Sequence, residues 1–210
     1  MRYKISALLS PQGRVLGQVM QWRRYAVAPL HVLAPAAASS MTLLDRDGAV
    51  RRIAGIHLLA VDRAADLVLL LLPDYAAGPQ ADALPAPATS TEYGLTGAVV
   101  GIDAVFHGCA PADGWRSRKA TVRQLVLARR HQYRAASGER IAVEQVQVLF
   151  LSAPVSAGWS GAPVRLADSG AVLGFIHGNA GANGNAAVCL LARSDSPVLR
   201  LTSEASNAAR

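Results

Sequence analysis

Cysteine is scarce in this chain. Only Cys109 and Cys189 occur in 210 residues. That is too few for a disulfide framework, so a reducing, cytoplasmic compartment is expected, with both thiols unpaired. Charge is scarce as well, at 17% of residues against 51% hydrophobic. Such a balance excludes a disordered chain and leaves ample material for a core. No apolar run approaches the ~20 residues that span a bilayer. The apolar patch after Met1 is shorter than the ~7–15 residues of a secretory leader core. No His or Cys pair has metal-ligand spacing, so no metal site is expected. His57, His107 and His131 lack any catalytic context and are expected on the surface or in the core.

Acids are missing altogether from residues 115–134. That stretch holds Arg116, Arg118, Lys119, Arg123, Arg129, Arg130 and Arg134, which match the formal net charge of +7. A solvated strand exterior explains such a run, and so does a surface for an acidic partner. Base stacking needs interleaved aromatics, and here only Trp115 and Tyr133 supply them, so nucleic acid is the minor expectation.

What is present is a set of short apolar segments separated by turn signals such as Asp45-Arg46-Asp47-Gly48. They predict strands near 14–20, 24–28, 50–60 and 66–73. A second set is predicted near 97–102, 119–128, 141–151, 163–166, 171–177 and 186–192. Residues 74–92 are rich in Pro, Ala, Gly and Ser. The expected division is therefore a unit at 1–80, a linker at 81–92, a unit at 93–200 and a frayed or helical tail at 201–210.

The segment Gly158-Trp159-Ser160-Gly161-Ala162-Pro163-Val164 carries the chemistry. Glycines beside a serine permit backbone conformations that expose the hydroxyl and aim neighbouring N–H groups at one point. A serine nucleophile with an oxyanion hole needs both. It also needs a base and a group that orients the base. His31 follows the strand-like run Tyr25-Ala-Val-Ala-Pro29. Asp66 stands directly before Leu67-Val68-Leu69-Leu70, where a buried carboxylate requires a partner such as an imidazole N–H. Asp62, beside Arg63, reads as a solvated turn residue.

In the order His31, Asp66, Ser160 these blocks resemble the chymotrypsin-like (trypsin-like) serine peptidases. The His31 block is similar to that family's Ala-Ala-His-Val, with Pro29-Leu30 in place of the alanines. Asp66-Leu67-Val68-Leu69-Leu70 is similar to Asp-Leu-Ala-Leu-Leu. Gly158–Val164 is similar to Gly-Asn/Asp-Ser-Gly-Gly-Pro, and Gly170–Phe175 to the strand beside the specificity pocket. The resemblance covers roughly residues 14–180. It implies an all-β, chymotrypsin-like double six-stranded β-barrel. It implies an endopeptidase that acts through an acyl-enzyme, with His31 as base, Asp66 as orienting acid and Ser160 as nucleophile. Gly158 and Ser160 N–H groups would form the oxyanion hole, a protein or peptide would be the substrate, and no cofactor is required.

The match has departures. Trp159 replaces the aspartate that pairs with a cut N-terminus in secreted members, as it is also lacking in HtrA-like and viral ones, so that mode of activation is not expected. Ala162 replaces a glycine. By the same resemblance the P1 pocket is walled by Leu151 to Ala157 and by Gly174 to Asn179, with Pro154, His177 and Gly178 as substrate-binding candidates. Neither wall carries an acid, so Arg or Lys at P1 lacks a counter-charge. An acidic or polar P1 read by His177 is expected, with a small apolar P1 as the alternative. His177 lies one residue later than the pocket histidine of glutamyl endopeptidases. Without a bulge that slip turns it from the pocket towards the triad. The rival reading is an idle barrel that binds partners through residues 115–134. An α/β-hydrolase is excluded, since that fold places acid and base after the serine.

Overall fold

The computed structural model describes residues 3–33, 40–76, 100–112, 114–134, 140–170, 172–180, 186–191 and 198. The predicted linker at 81–92 and the tail at 201–210 lie outside them. The first half contains β1 (Lys4–Leu9), β2 (Val15–Trp22), β3 (Tyr25–Pro29), a one-turn α1 (Leu30–Leu33), β4 (Ser40–Leu44), β5 (Val50–Ala54), β6 (His57–Asp62) and β7 (Leu67–Leu71). The second contains β8 (Asp103–Ala110), β9 (Gly114–Arg134), β10 (Arg140–Leu151), β11 (Pro163–Leu166), β12 (Val172–Ala180) and β13 (Ala186–Leu191).

The first half forms one antiparallel sheet in the order β5-β4-β1-β2-β3-β7-β6. It has seven strands where six were expected. The second half closes as the expected six-stranded barrel, β10-β13-β12-β11-β8-β9. The predicted strand at 50–60 is two strands, because Gly55 turns the chain with φ +72°. Such a turn suits a residue without a Cβ. Of the strand expected at 97–102, residues 97–99 lie outside the described residues, and 100–102 are not strand: Gly101 turns with φ +89°, and β8 starts only at Asp103. Three strands went unpredicted, β1, β4 and β8.

Alternation explains how each sheet buries one face. Along β4, Met41 and Leu43 point inward while Ser40, Thr42 and Leu44 are partly exposed, the period-two pattern of a half-buried strand. Three apolar clusters result. One fills the first sheet around Leu8, Val19, Leu43, Ile53 and Leu72. One fills the barrel around Phe106, Leu149, Trp159, Leu173 and Ile176. The third joins Trp22, Leu67 and Leu69 of the first half to Tyr133, Val143, Phe175 and Val188 of the second. This shared core fixes the two halves against each other.

The β9–β10 hairpin reaches across that junction. It pairs from Leu151↔Val122 to Arg140↔Arg134. At its far end Glu144 N–H donates to the carbonyl of Ala64 at 3.0 Å. The hairpin therefore touches the turn that precedes Asp66.

Candidate active site

Asp66 is built into a turn that two acids define. Asp62 ends β6 and its Oδ1 accepts from Ala65 N–H at 2.9 Å. Asp62 is buried, which corrects the expectation of a solvated residue; the carboxylate is needed inside to cap the turn. Asp66 follows with φ +53°, a left-handed conformation that Asp tolerates better than most residues. From there its carbonyl accepts from Leu30 N–H at 2.9 Å, and its Oδ1 accepts from His31 N–H at 3.0 Å. Asp66 thus caps α1 and fixes the backbone that carries His31.

Its other oxygen faces the imidazole. His31 Nδ1 lies 2.5 Å from Asp66 Oδ2. A carboxylate only accepts, so Nδ1 carries the proton and Nε2 is the ring nitrogen turned elsewhere. Tyr133, at the end of β9, donates its hydroxyl to the same Oδ2 in a short hydrogen bond. His177 Nε2 stands 3.7 Å away. Burial alone would raise the Asp66 carboxyl. The hydrogen bond from His31, the neighbouring imidazoles and the hydrogen bond from Tyr133 outweigh it and hold the group below the ordinary carboxylate range.

Tyr133 is the residue that sequence reasoning missed. It appeared there only as an aromatic among arginines. Its partner is 67 residues away in sequence, and no local pattern encodes that contact.

Complete burial holds His177 below its usual range, against the pull of the Asp66 carboxylate. Its Nδ1–H donates to the carbonyl of Phe175 at 3.0 Å. The expectation that it reads a substrate carboxylate is corrected: it has no exposed surface and lies beside Asp66. The register shift between Ile176 and Gly178 does not return the side chain to a pocket wall.

Ser160 sits in a turn held by close packing. Gly161 has φ +88°, and a Cβ there would stand 2.1 Å from the carbonyl oxygen of Gln18; only glycine fits. Gly158 has φ +93° and lies against Cys109 and Pro111. Gln18 reaches across from β2, and its Nε2 donates to the carbonyls of Gly158 at 2.7 Å and Cys109 at 2.8 Å. Trp159 is fully buried edge-on against Phe106, with centroids 5.3 Å apart. The Arg118 guanidinium lies 5.1 Å over its ring. The turn is thus pinned by an indole in the barrel core.

Neither Gly158 N–H nor Ser160 N–H meets a protein acceptor among the described residues. Ser160 Oγ donates to the carbonyl of His177 at 3.0 Å. His31 Nε2 is buried and has no hydrogen-bond partner among the described residues. The serine and the imidazole therefore do not hydrogen-bond to each other in this structure. Ser160 is only 4% exposed and the His31 side chain 9%.

The two expected pocket walls are tied together. Asn179 Oδ1 accepts from Val155 N–H at 3.0 Å, and its Nδ2 donates to the Val155 carbonyl. Gly178 is buried, and a Cβ there would meet the Arg134 carbonyl at 2.6 Å. Pro154 is exposed, and its carbonyl accepts from Arg118 at 2.7 Å. Arg118 is thus spent on the site's scaffold, while Arg116, Lys119, Arg123, Arg129, Arg130 and Arg134 are exposed along β9. Cys109 is a free, buried thiol, pushed up by burial. Among the described residues no group of His, Cys, Asp and Glu could hold a metal, and no helix is long and apolar enough to cross a membrane.

Solved structures share this arrangement of strands. The active form of the Rv3671c protease from M. tuberculosis is 22% identical, with 90% of this chain and 75% of that one covered at a TM-score of 0.60. The MamO protease domain from Magnetospirillum magneticum is 14% identical, with 96% and 95% covered at 0.59. The fold is that of the chymotrypsin-like serine proteases. The HtrA-type protease AlgW, solved with a tripeptide, is 15% identical at a TM-score of 0.59; this chain spans 58% of its length. No family model matches the sequence, and no curated protein matches it.

Proposed function

We propose that this protein is a serine endopeptidase. The observation that carries the reading is Asp66 holding His31 twice, by backbone N–H and by Nδ1, with the hydroxyl of Ser160 on the backbone carbonyl of His177, whose ring stands 6.0 Å from that of His31. In the reaction Ser160 Oγ turns from the His177 carbonyl and attacks the scissile carbonyl carbon. Its proton passes to His31 Nε2, while Asp66 stabilises the imidazolium. The developing oxyanion accepts from Gly158 and Ser160 N–H, which are already unpaired and cost no broken bond. His31 then gives the proton to the leaving amine, and an acyl-Ser160 forms. Water, deprotonated by His31, attacks the ester and restores the serine.

The Asn179–Val155 tie joins the two expected pocket walls, which favours small P1 residues. With His177 withdrawn behind Asp66, an acidic P1 has no counter-charge. The test is cleavage profiling on a peptide library, with Ser160→Ala as control. The reading expects cuts after small residues and a loss of about 10⁶-fold in the variant. Equal turnover by Ser160→Ala would overturn it.

A second reading has one observation in its favour. Ser160 Oγ is bonded away from His31, as in a barrel that binds without cutting. In that case the exposed arginines of β9 are the binding surface.

A further inference from the structure

Three strands set a row of residues outward from the expected pocket wall. Asn179 of β12 is the register partner of Arg134 of β9, and Arg134 is the register partner of Arg140 of β10. Directly opposed residues of antiparallel strands project from the same face. Arg134 and Arg140 therefore share the face of the Asn179 side chain, whose amide holds Val155 of the other wall. Alternation along β9 agrees. Tyr133 is buried on the opposite face against Asp66, while Gln132 and Arg134 are exposed. The approach to the wall is close, since a Cβ on Gly178 would stand 2.6 Å from the Arg134 carbonyl. Neighbouring strands lie about 4.8 Å apart, so Arg134 is one such step from Asn179 and Arg140 is two.

The pairing of Arg134 with Arg140 works against the fold. Like charges directly opposite each other destabilise a sheet, whereas opposite charges favour it. Further along the same face Arg130 stands opposite Glu144, the arrangement that stability alone selects. Arg134 and Arg140 are both exposed, and among the described residues neither forms an ion pair. Arg63, in the turn before Asp66, is exposed as well. It adds positive charge near the same end of the hairpin, where Glu144 N–H meets the Ala64 carbonyl. The row thus begins at the pocket wall and ends in two guanidinium groups without a protein counter-charge among the described residues.

We propose that Arg134 and Arg140 form a subsite for acidic side chains next to the P1 residue, so that the substrates are acidic peptide segments. The proposal rests on the peptidase reading above. A chain laid with its P1 residue between the two walls brings its neighbouring side chains over β9 and β10. A carboxylate there meets two planar donor forks. The outward face of this hairpin end offers no ring for stacking: Gln132 and Ala142 complete it, and Tyr133 is buried. An acidic peptide therefore fits it better than single-stranded nucleic acid does.

The test compares peptides that share a small P1 residue and carry Glu or Gln at each flanking position in turn. The readout is the Glu-to-Gln ratio of kcat/KM. Exposed ion pairs are weak, so a ratio of about two- to fivefold per arginine is expected at the favoured position, shrinking as salt is raised. Arg134→Gln and Arg140→Gln should each lower the ratio, and the double variant should bring it to unity. Peptide affinity on Ser160→Ala, read by fluorescence anisotropy, separates this proposal from the peptidase reading. Cleavage with a ratio of unity at every position overturns the subsite alone. No cleavage by wild type overturns the peptidase reading, and the affinities then decide the subsite. Tighter binding of Glu peptides, lost in the double variant, supports it; equal or absent binding overturns it. A Glu preference that survives in the double variant also overturns it. So does a single-stranded oligonucleotide that binds through these arginines while Glu and Gln peptides stay equal.

Discussion

The two halves of the site are held by different forces. Around Asp66 the positioning is polar: two contacts to His31, one from Tyr133, and His177 alongside. Around Ser160 it is steric and apolar: Gly161 against Gln18, and Trp159 against Phe106. Polar positioning fixes a tautomer and a charge, which a base requires. Apolar packing fixes only the backbone, and so leaves the Ser160 hydroxyl free to choose a partner. In this structure it chooses the His177 carbonyl. Under the proposed reaction the acid–base half is preorganised, whereas Ser160 would complete the site only by rotating.

The largest test of that contrast is Asp66→Asn. It should cut turnover by roughly 10⁴-fold, because the amide donates where Nδ1–H must be accepted. It should also change the acid limb of stability. Asp66 is held below the ordinary carboxylate value of about 3.8, so its contribution is complete above that pH and is lost as pH falls through the lower folded value. Chemical denaturation across this range should show a stability drop in wild type that is smaller in Asp66→Asn. An equal drop in both would remove Asp66 from the account.

Trp159→Ala attacks the other half. Loss of a buried indole costs about 3–5 kcal/mol, measurable as a lower denaturation midpoint, with little pH dependence since no charge is removed. Tyr133→Phe comes next. It deletes one hydrogen bond to a carboxylate, worth about 1.5–3 kcal/mol. It should lower kcat about tenfold or more with KM unchanged. A rise in KM alone would make Tyr133 a substrate contact instead. The smallest effect is expected from Asn179→Ala, which releases Val155. It should shift P1 preference towards larger residues by about tenfold, and an unchanged profile would mean the tie does not shape the pocket.

The sequence made Ser160 and Asp66 legible because each is bound to a local pattern. The glycines at 158 and 161 are forced by close approach, and the apolar run after Asp66 is a buried strand. Residues defined by distant partners were not legible. Tyr133 needs the whole length of β9 to arrive at Asp66. His177 was readable in two registers, and only the packed barrel decides between them. Asp62 was misread because a turn-capping carboxylate and a solvated one have the same neighbours in sequence. Strand β1 was read as a brief apolar patch, since its inward residues alternate with Ser6 and Lys4 that enter a polar network with Asp45. Arg51, Lys4 and Ser6 overcome burial there and hold the Asp45 carboxyl down to about 2.

The central claim is that Ser160 is an activated nucleophile despite its resting hydrogen bond. Labelling with a fluorophosphonate, read by intact mass and peptide mapping, tests it most directly. The account predicts a single adduct on Ser160 in wild type and none in Ser160→Ala or His31→Ala. An unlabelled wild-type protein, or an adduct that persists in Ser160→Ala, would contradict it and leave the barrel as a binding module.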